Sequence, residues 1–399
     1  MAEQSPNRPD KGVPFGQSKA SVSLDAMRGI AALLVCSDHC RHIFFAEYHE
    51  IANRALFLPY AITSTGHQSV VIFFVLSGFL VGGSVFRSLD QNRWSWKRYL
   101  THRFVRLWLV LIPALLLCFG WDSLGQYLHQ HHLALDPALL QHIPGRVAAS
   151  PIQQRLGLSM DETLSTFLGN VFFLQTILVQ TFGSNGPLWS LSYEFWYYLL
   201  FPCAVLAIRS RHGLSSRLLF AASFFLMAFF VGKNICTFFP LWLMGAVLIY
   251  LPRPRCSLLW RVVATVIYSA IFVGCTQISR HYPIGSDYLL GVATTFYLWL
   301  LLAAKERSSH GTGELLARNL ARFSYTLYLV HMPFLFFLGG LLVQQTRWRP
   351  SLSTVAFAFV LWMAVLLYAW VVASATEFRV DDVKKWAEMR VDRLFPHAR

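Results

Sequence analysis

Ten stretches of the chain are apolar over lengths close to the about 20 residues that cross a hydrocarbon core. They fall at about 24–46, 67–86, 104–121, 188–208, 216–232, 236–251, 258–279, 287–304, 321–345 and 352–375. None shows the apolar-polar alternation in blocks of about ten that marks a membrane β-barrel. The pattern predicts an all-α, polytopic membrane protein with about ten transmembrane helices. An eleventh apolar stretch, 165–182, is short and contains Asn170, Gln175 and Gln180. The turn sequence Gly183-Ser184-Asn185-Gly186-Pro187 breaks the chain directly after it. Residues 1–20 are polar, without the apolar core of a signal peptide, and are expected to be a disordered tail. Residues 21–376 form the transmembrane domain, and 377–399 an amphipathic charged tail.

Charge decides what the short stretch does. If 165–182 does not cross, 25 of the 34 Lys and Arg residues fall in loops on one side of the membrane. Eight fall on the other side and Arg28 lies inside a span. If it did cross, every later basic loop would change sides. The excess of Lys and Arg on cytoplasmic loops therefore predicts that 165–182 is re-entrant or interfacial and that both termini are cytoplasmic. The same distribution accounts for the net charge of +14 without a nucleic-acid partner, because the basic residues form no single domain face. Charged residues are 14% of the chain, against about 25% in soluble proteins.

A few polar groups inside the apolar runs are candidates for chemistry. Arg28 and His39 are eleven residues apart, which puts them on one helical face, about 16 Å apart along the axis. Ionisable groups in a membrane are costly and usually mark a site or a pathway. The plainer alternatives are a snorkelling arginine and a histidine that only bonds a neighbouring helix. Asp38 precedes His39, about 100° around the helix. Ser77 lies beside Gly78 in the second run, where small residues also serve close helix packing. Six basic residues fall between Arg87 and Arg106. Of these Arg103 and Arg106 share a helical face at the mouth of the third run, an arrangement suited to phosphate oxygens or to lipid headgroups. Glu194 is embedded in the fourth long run. Cys36 and Cys40 flank His39, and His129, His131 and His132 sit in the longest loop. Buried cysteine is usually a small apolar residue, an exposed His-rich loop is usually solvated, and no metal is expected.

With these residues in view, the chain resembles the acyltransferase-3 family of integral membrane acyltransferases. LDAMRGIAALLVCSDH is similar to the family's first-helix signature, with Arg28 and His39 at the Arg and His positions. VVIFFVLSGFLVG is similar to its second-helix signature. WKRYLTHRFVRLW is similar to its arginine-rich loop, with Arg103 and Arg106 in the RxxR element. GPLWSLSYEFWYYLLFP, containing Trp189, is similar to its Glu-bearing motif, with Glu194 at the acid position. SYTLYLVHMP, with Tyr325 and His331, is similar to a late-helix signature. Each pattern alone is weak, and five in order are specific. Asp38 departs from the family, where an aromatic or small residue is commoner before the histidine.

The resemblance implies a bacterial inner-membrane O-acyltransferase that takes an acyl group from acyl-CoA, usually acetyl-CoA, and passes it to a glycan or glycoside hydroxyl. Arg103, Arg106, Arg98 and Arg28 would bind the CoA phosphates. His39 would be the general base with Glu194 as its partner, and Ser77, Trp189, Tyr325 and His331 would support substrate or transition state. Two alternatives stay open: a covalent acyl-enzyme on His39 or Ser77, and a transporter or flippase of a glycolipid or small metabolite. The absence of an internal repeat speaks against transport.

Overall fold

The structure is a computed structural model that describes residues 19–51, 53–131, 133, 160–209, 213–303, 311–343 and 346–394. Most of the 1–20 tail, most of the long loop including His132, and the last residues of the chain lie outside these. The described residues are helical, with no strand among them and only two isolated β-bridges. That is the expected solution for a chain in lipid, where backbone groups must find partners within their own segment.

The long helices are α1 (Lys19–Phe44), α4 (Gly66–Asp90), α5 (Trp96–Gln130), α7 (Trp189–Arg209), α8 (Gly213–Val247), α9 (Leu258–Ile278), α10 (Pro283–Leu301), α11 (Thr312–Leu342) and α12 (Leu352–Ala375). All nine are long and apolar enough to cross a membrane. Short helices α2 (Tyr48–Ile51) and α3 (Phe57–Thr63) join α1 to α4. Helix α6 (Leu164–Val171) precedes α7, and α13 (Val380–Leu394) closes the chain. Several helices run further than the apolar runs predict. Thus α5 begins at Trp96, eight residues before its apolar core, with Ser95 capping the amide of Arg98. Long basic side chains can lie along apolar surface with their charge at the interface, so a charge does not end a helix.

Nine long helices and ten expected spans are reconciled at Gly232. There φ is 78° and ψ 177°, and the helix folds back on itself. Phe224 and Phe239 lie 6.3 Å apart ring to ring, whereas fifteen residues of straight helix would separate them by about 22 Å. Arg209, at the end of α7, forms an ion pair with Asp90 at 3.4 Å and stacks 5.7 Å from Tyr250, just past α8. Both ends of α8 thus lie on one face of the bundle, and α8 is a hairpin of two antiparallel arms.

That face also carries Arg98 against Glu388 and Trp299 against Pro252. On the opposite face Glu47 meets Arg347, Phe44 stacks on Trp348, and His67 bonds Asp287. Among the described residues, the contacts on each face join loops that the charge count places on the same side.

The 164–187 stretch is re-entrant. Its two ends are clasped by a bond from the Gly183 amide to the Asp161 carbonyl. Its tip is held deep in the bundle. Trp108 donates to the Val171 carbonyl, Trp196 donates to the Phe173 carbonyl, and Phe173 stacks on Phe195 at 4.2 Å. Trp108 is about 18 Å along α5 from its first residue. Irregular backbone at this depth is tolerated because it is enclosed by protein.

Two contacts set the frame of the interior. Helices α1 and α11 run parallel: Arg28 bonds the Ala321 carbonyl, and eleven residues on, His39 meets His331. Helices α4 and α8 cross almost backbone to backbone. A Cβ on Gly78 would collide with the Trp242 carbonyl, and one on Gly245 with the Val75 carbonyl. Glycine is required at both positions for this approach.

Candidate functional site

The polar residues singled out in the sequence divide into two groups along α1 and α11. The first surrounds a cavity of about 270 Å³, lined among others by Arg28, Ser77, Arg103, Arg106, Glu194 and Tyr325. Five helices contribute, α1, α4, α5, α7 and α11, so the constellation exists only in the assembled bundle. Arg103 donates to Ser84 Oγ at 2.8 Å and packs over the rings of Tyr99 and Tyr198 at 5.1 and 5.2 Å. Arg28 donates to the Ala321 carbonyl at 2.7 Å and lies 3.9 Å from Asp25. The Nε groups of Arg28 and Arg103 are buried and have no protein acceptor. Arg106 feels the charges of Glu194 and Glu377. Glu377 itself is fixed by the amide and hydroxyl of Thr326, at 2.9 and 2.8 Å.

Glu194 is held by side chains of the cavity wall. Ser77 Oγ donates to Glu194 Oε1 at 3.0 Å, the Tyr198 hydroxyl donates to the same oxygen, and Trp242 Nε1 donates to Ser77 Oγ at 3.2 Å. The close crossing of α4 and α8 is what brings Trp242 within reach of Ser77. The sequence reading made Glu194 the partner of His39. The structure instead holds Glu194 with Ser77 and Tyr198 and sets another histidine against His39.

The second group lies toward the opposite face. His39 Nδ1 is 2.8 Å from His331 Nε2, with ring centroids 5.0 Å apart, and His331 Nδ1 is 2.8 Å from the Leu327 carbonyl. His331 is fully buried and His39 is partly exposed. Tyr328 connects the two groups: its ring lines the cavity and lies 6.2 Å from that of His331. Its hydroxyl bonds Ser190 Oγ at 2.7 Å and the Pro187 carbonyl at 3.0 Å. Asp38 pairs along its own helix with His42 and Arg41. It lies 3.2 Å from His42 Nδ1 and 3.7 Å from Arg41, close against Gly66.

Two expected site residues lie elsewhere. Arg98 is largely exposed and bonds Glu388 of α13 at 3.0 Å, a residue it also shares with His102. It does not line the cavity, because the tail helix claims it. Trp189 is packed 6.2 Å from His67, among Phe74, Tyr193 and Phe238, beside the cavity wall and outside its lining. Tyr325 does line the cavity, with its hydroxyl 3.4 Å from the Leu107 carbonyl. Among residues the sequence reading missed, Tyr198 was accessible from its position one helical turn after Glu194. Glu377 offered no such signal.

The arrangement combines a buried cationic cavity, able to take an anionic group, with an imidazole pair about three helical turns further along α1. The chain matches the family described as "Acyltransferase domain" over residues 21–373, and it belongs to the acyltransferase-3 family. It is therefore a multi-pass membrane acyltransferase by family. No curated protein and no solved structure matches the chain.

Proposed function

We propose that the protein is an acyl-CoA-dependent O-acyltransferase of the bacterial inner membrane. In this reading it moves an acetyl group from cytoplasmic acetyl-CoA to a hydroxyl of an extracytoplasmic or lipid-linked glycan, with His39 as general base. The observation that carries the reading is the buried cavity in which Arg28, Arg103 and Arg106 converge while two of their Nε groups lack protein acceptors. Buried donors without acceptors are costly, and the phosphates of CoA would satisfy them bidentately. Glu194 then balances part of the cationic charge and keeps Ser77 and Tyr198 oriented in the wall.

The basic face of the bundle is assigned to the cytoplasm by the positive-inside rule. The arginine cavity then opens toward the side that holds acyl-CoA, and His39 lies toward the side of the acceptor. The chemistry is direct transfer. His39 takes the proton of the acceptor hydroxyl as the oxygen attacks the thioester carbonyl. The tetrahedral intermediate collapses with cleavage of the C–S bond, and the imidazolium returns the proton to the departing thiolate. An ester and free CoA result.

Binding of acetyl-CoA to the purified protein in nanodiscs, by calorimetry, tests the donor assignment without knowledge of the acceptor. Binding is expected to weaken for desphospho-CoA and for the Arg103→Ala/Arg106→Ala variant. Equal affinity for all three ligand and protein combinations would remove CoA from the cavity.

A further inference from the structure

The geometry points to His331 as a positioning residue that fixes the tautomer of His39. The Leu327 carbonyl, 2.8 Å from His331 Nδ1, can only accept, so His331 Nδ1 carries a hydrogen. A neutral His331 ring then presents the lone pair of its Nε2. That lone pair faces His39 Nδ1 at 2.8 Å, so His39 Nδ1 must donate. A neutral His39 is therefore the Nδ1–H tautomer, with the ring's lone pair on Nε2. The order of the chain is Leu327 carbonyl, His331, His39, acceptor hydroxyl.

In a Ser-His-Asp triad the orienting group is an aspartate. Here the orienting group is a second imidazole, anchored one helical turn back on its own helix. The parallel packing of α1 and α11 sets the two rings at the same depth, since Arg28 and Ala321 meet eleven and ten residues earlier on the same pair of helices. When His39 Nε2 takes the hydroxyl proton, the Nδ1 hydrogen lies on the short bond to His331 Nε2. The positive charge is then shared by two rings and no buried carboxylate is needed in line with them. Full burial of His331 keeps water from competing for His39 Nδ1.

The consequence for transfer rests on His39 being the base, as proposed above, whereas the tautomer itself does not. The decisive measurement is the ¹⁵N spectrum of histidine-labelled, full-length protein in nanodiscs. The His39 signals are identified by their loss in His39→Gln. Wild type is expected to show a protonated Nδ1 and an unprotonated Nε2 at His39, and the reverse pattern would overturn the inference. His331→Gln retains an acceptor near the same place and should keep both the tautomer and acetyl transfer, within about tenfold. His331→Leu should lose the tautomer preference, and transfer should fall by on the order of 100-fold or more. Transfer is read as thiol release from acetyl-CoA with a methyl hexoside as acceptor. If His331→Leu does not fold, judged by loss of acetyl-CoA binding, the wild-type and His331→Gln spectra still decide. Full transfer in His39→Ala would sink the base assignment while leaving the tautomer result standing. An unperturbed His39 spectrum in a folded His331→Leu would sink the positioning role alone.

Discussion

The arginine cavity and the histidine pair share two helices, α1 and α11, and are built in opposite ways. The cavity is open inside, and its cations keep donors in reserve: two arginine Nε groups are buried without acceptors. The histidine pair is filled, with hydrogen-bond distances from His39 through His331 to a backbone carbonyl. The difference follows from what each end has to do. Recognition of a polyanion requires unspent hydrogen bonds, because donors already paired to protein contribute little more. Proton transfer requires the contrary, since a ring that can rotate or change tautomer presents a lone pair only part of the time.

This contrast makes the two ends separable by substitution. The largest expected effect is at the histidine end. His39→Ala should reduce transfer by about 10²- to 10⁴-fold, the usual contribution of a general base, with acetyl-CoA affinity unchanged. Concurrent loss of donor affinity would show that the two ends are one site. At the other end, removal of Arg103 or Arg106 should weaken acetyl-CoA binding by about 10- to 100-fold each, as for hydrogen bonds to charged groups. The His39 tautomer should be untouched. Gly245→Val forces α4 and α8 apart where a Cβ would meet the Val75 carbonyl. It should cost about 1–3 kcal/mol of stability and lower the melting temperature, and it is the variant expected to damage cavity and transfer together. Tyr198→Phe removes one of the two hydroxyls on Glu194. It should weaken donor binding about fivefold, corresponding to about 1 kcal/mol for one hydrogen bond. Arg98→Ala should be the mildest. Its exposed pair with Glu388 is worth about 0–1 kcal/mol, so donor affinity should stay within about twofold, and a larger loss would return Arg98 to the binding set.

Much of the frame was legible in the sequence because lipid imposes simple rules. Apolar length marked the spans, and the Lys and Arg count predicted that 165–182 does not cross, leaving open whether it dips in or lies at the interface. Helical periodicity put Arg28 and His39 on one face of α1, and both meet α11. The partners were not legible. Glu194 faces Ser77, 117 residues away, and His39 faces His331, 292 residues away. Neither pairing follows from spacing within one helix. Arg98 was assigned by its company in a basic loop, and a carboxylate 290 residues later claims it. The division between the spans expected at 216–232 and 236–251 falls at Gly232, where a positive φ folds Gly213–Val247 into two arms.

The re-entrant stretch also constrains the order in which the protein is made. Phe195 and Trp196, which hold its tip, belong to α7 and leave the ribosome after it. Until they arrive, the Phe173 carbonyl lacks its donor, Trp196, and the stretch lacks part of the enclosure that irregular backbone requires in lipid. The stretch is therefore expected to wait at the membrane surface during synthesis and to enter the bundle with α7. With cysteine placed at Phe173, a nascent chain halted before Trp189 has left the ribosome should react with a water-borne thiol reagent. Chains released beyond Arg209 should be protected at the buried Phe173 position.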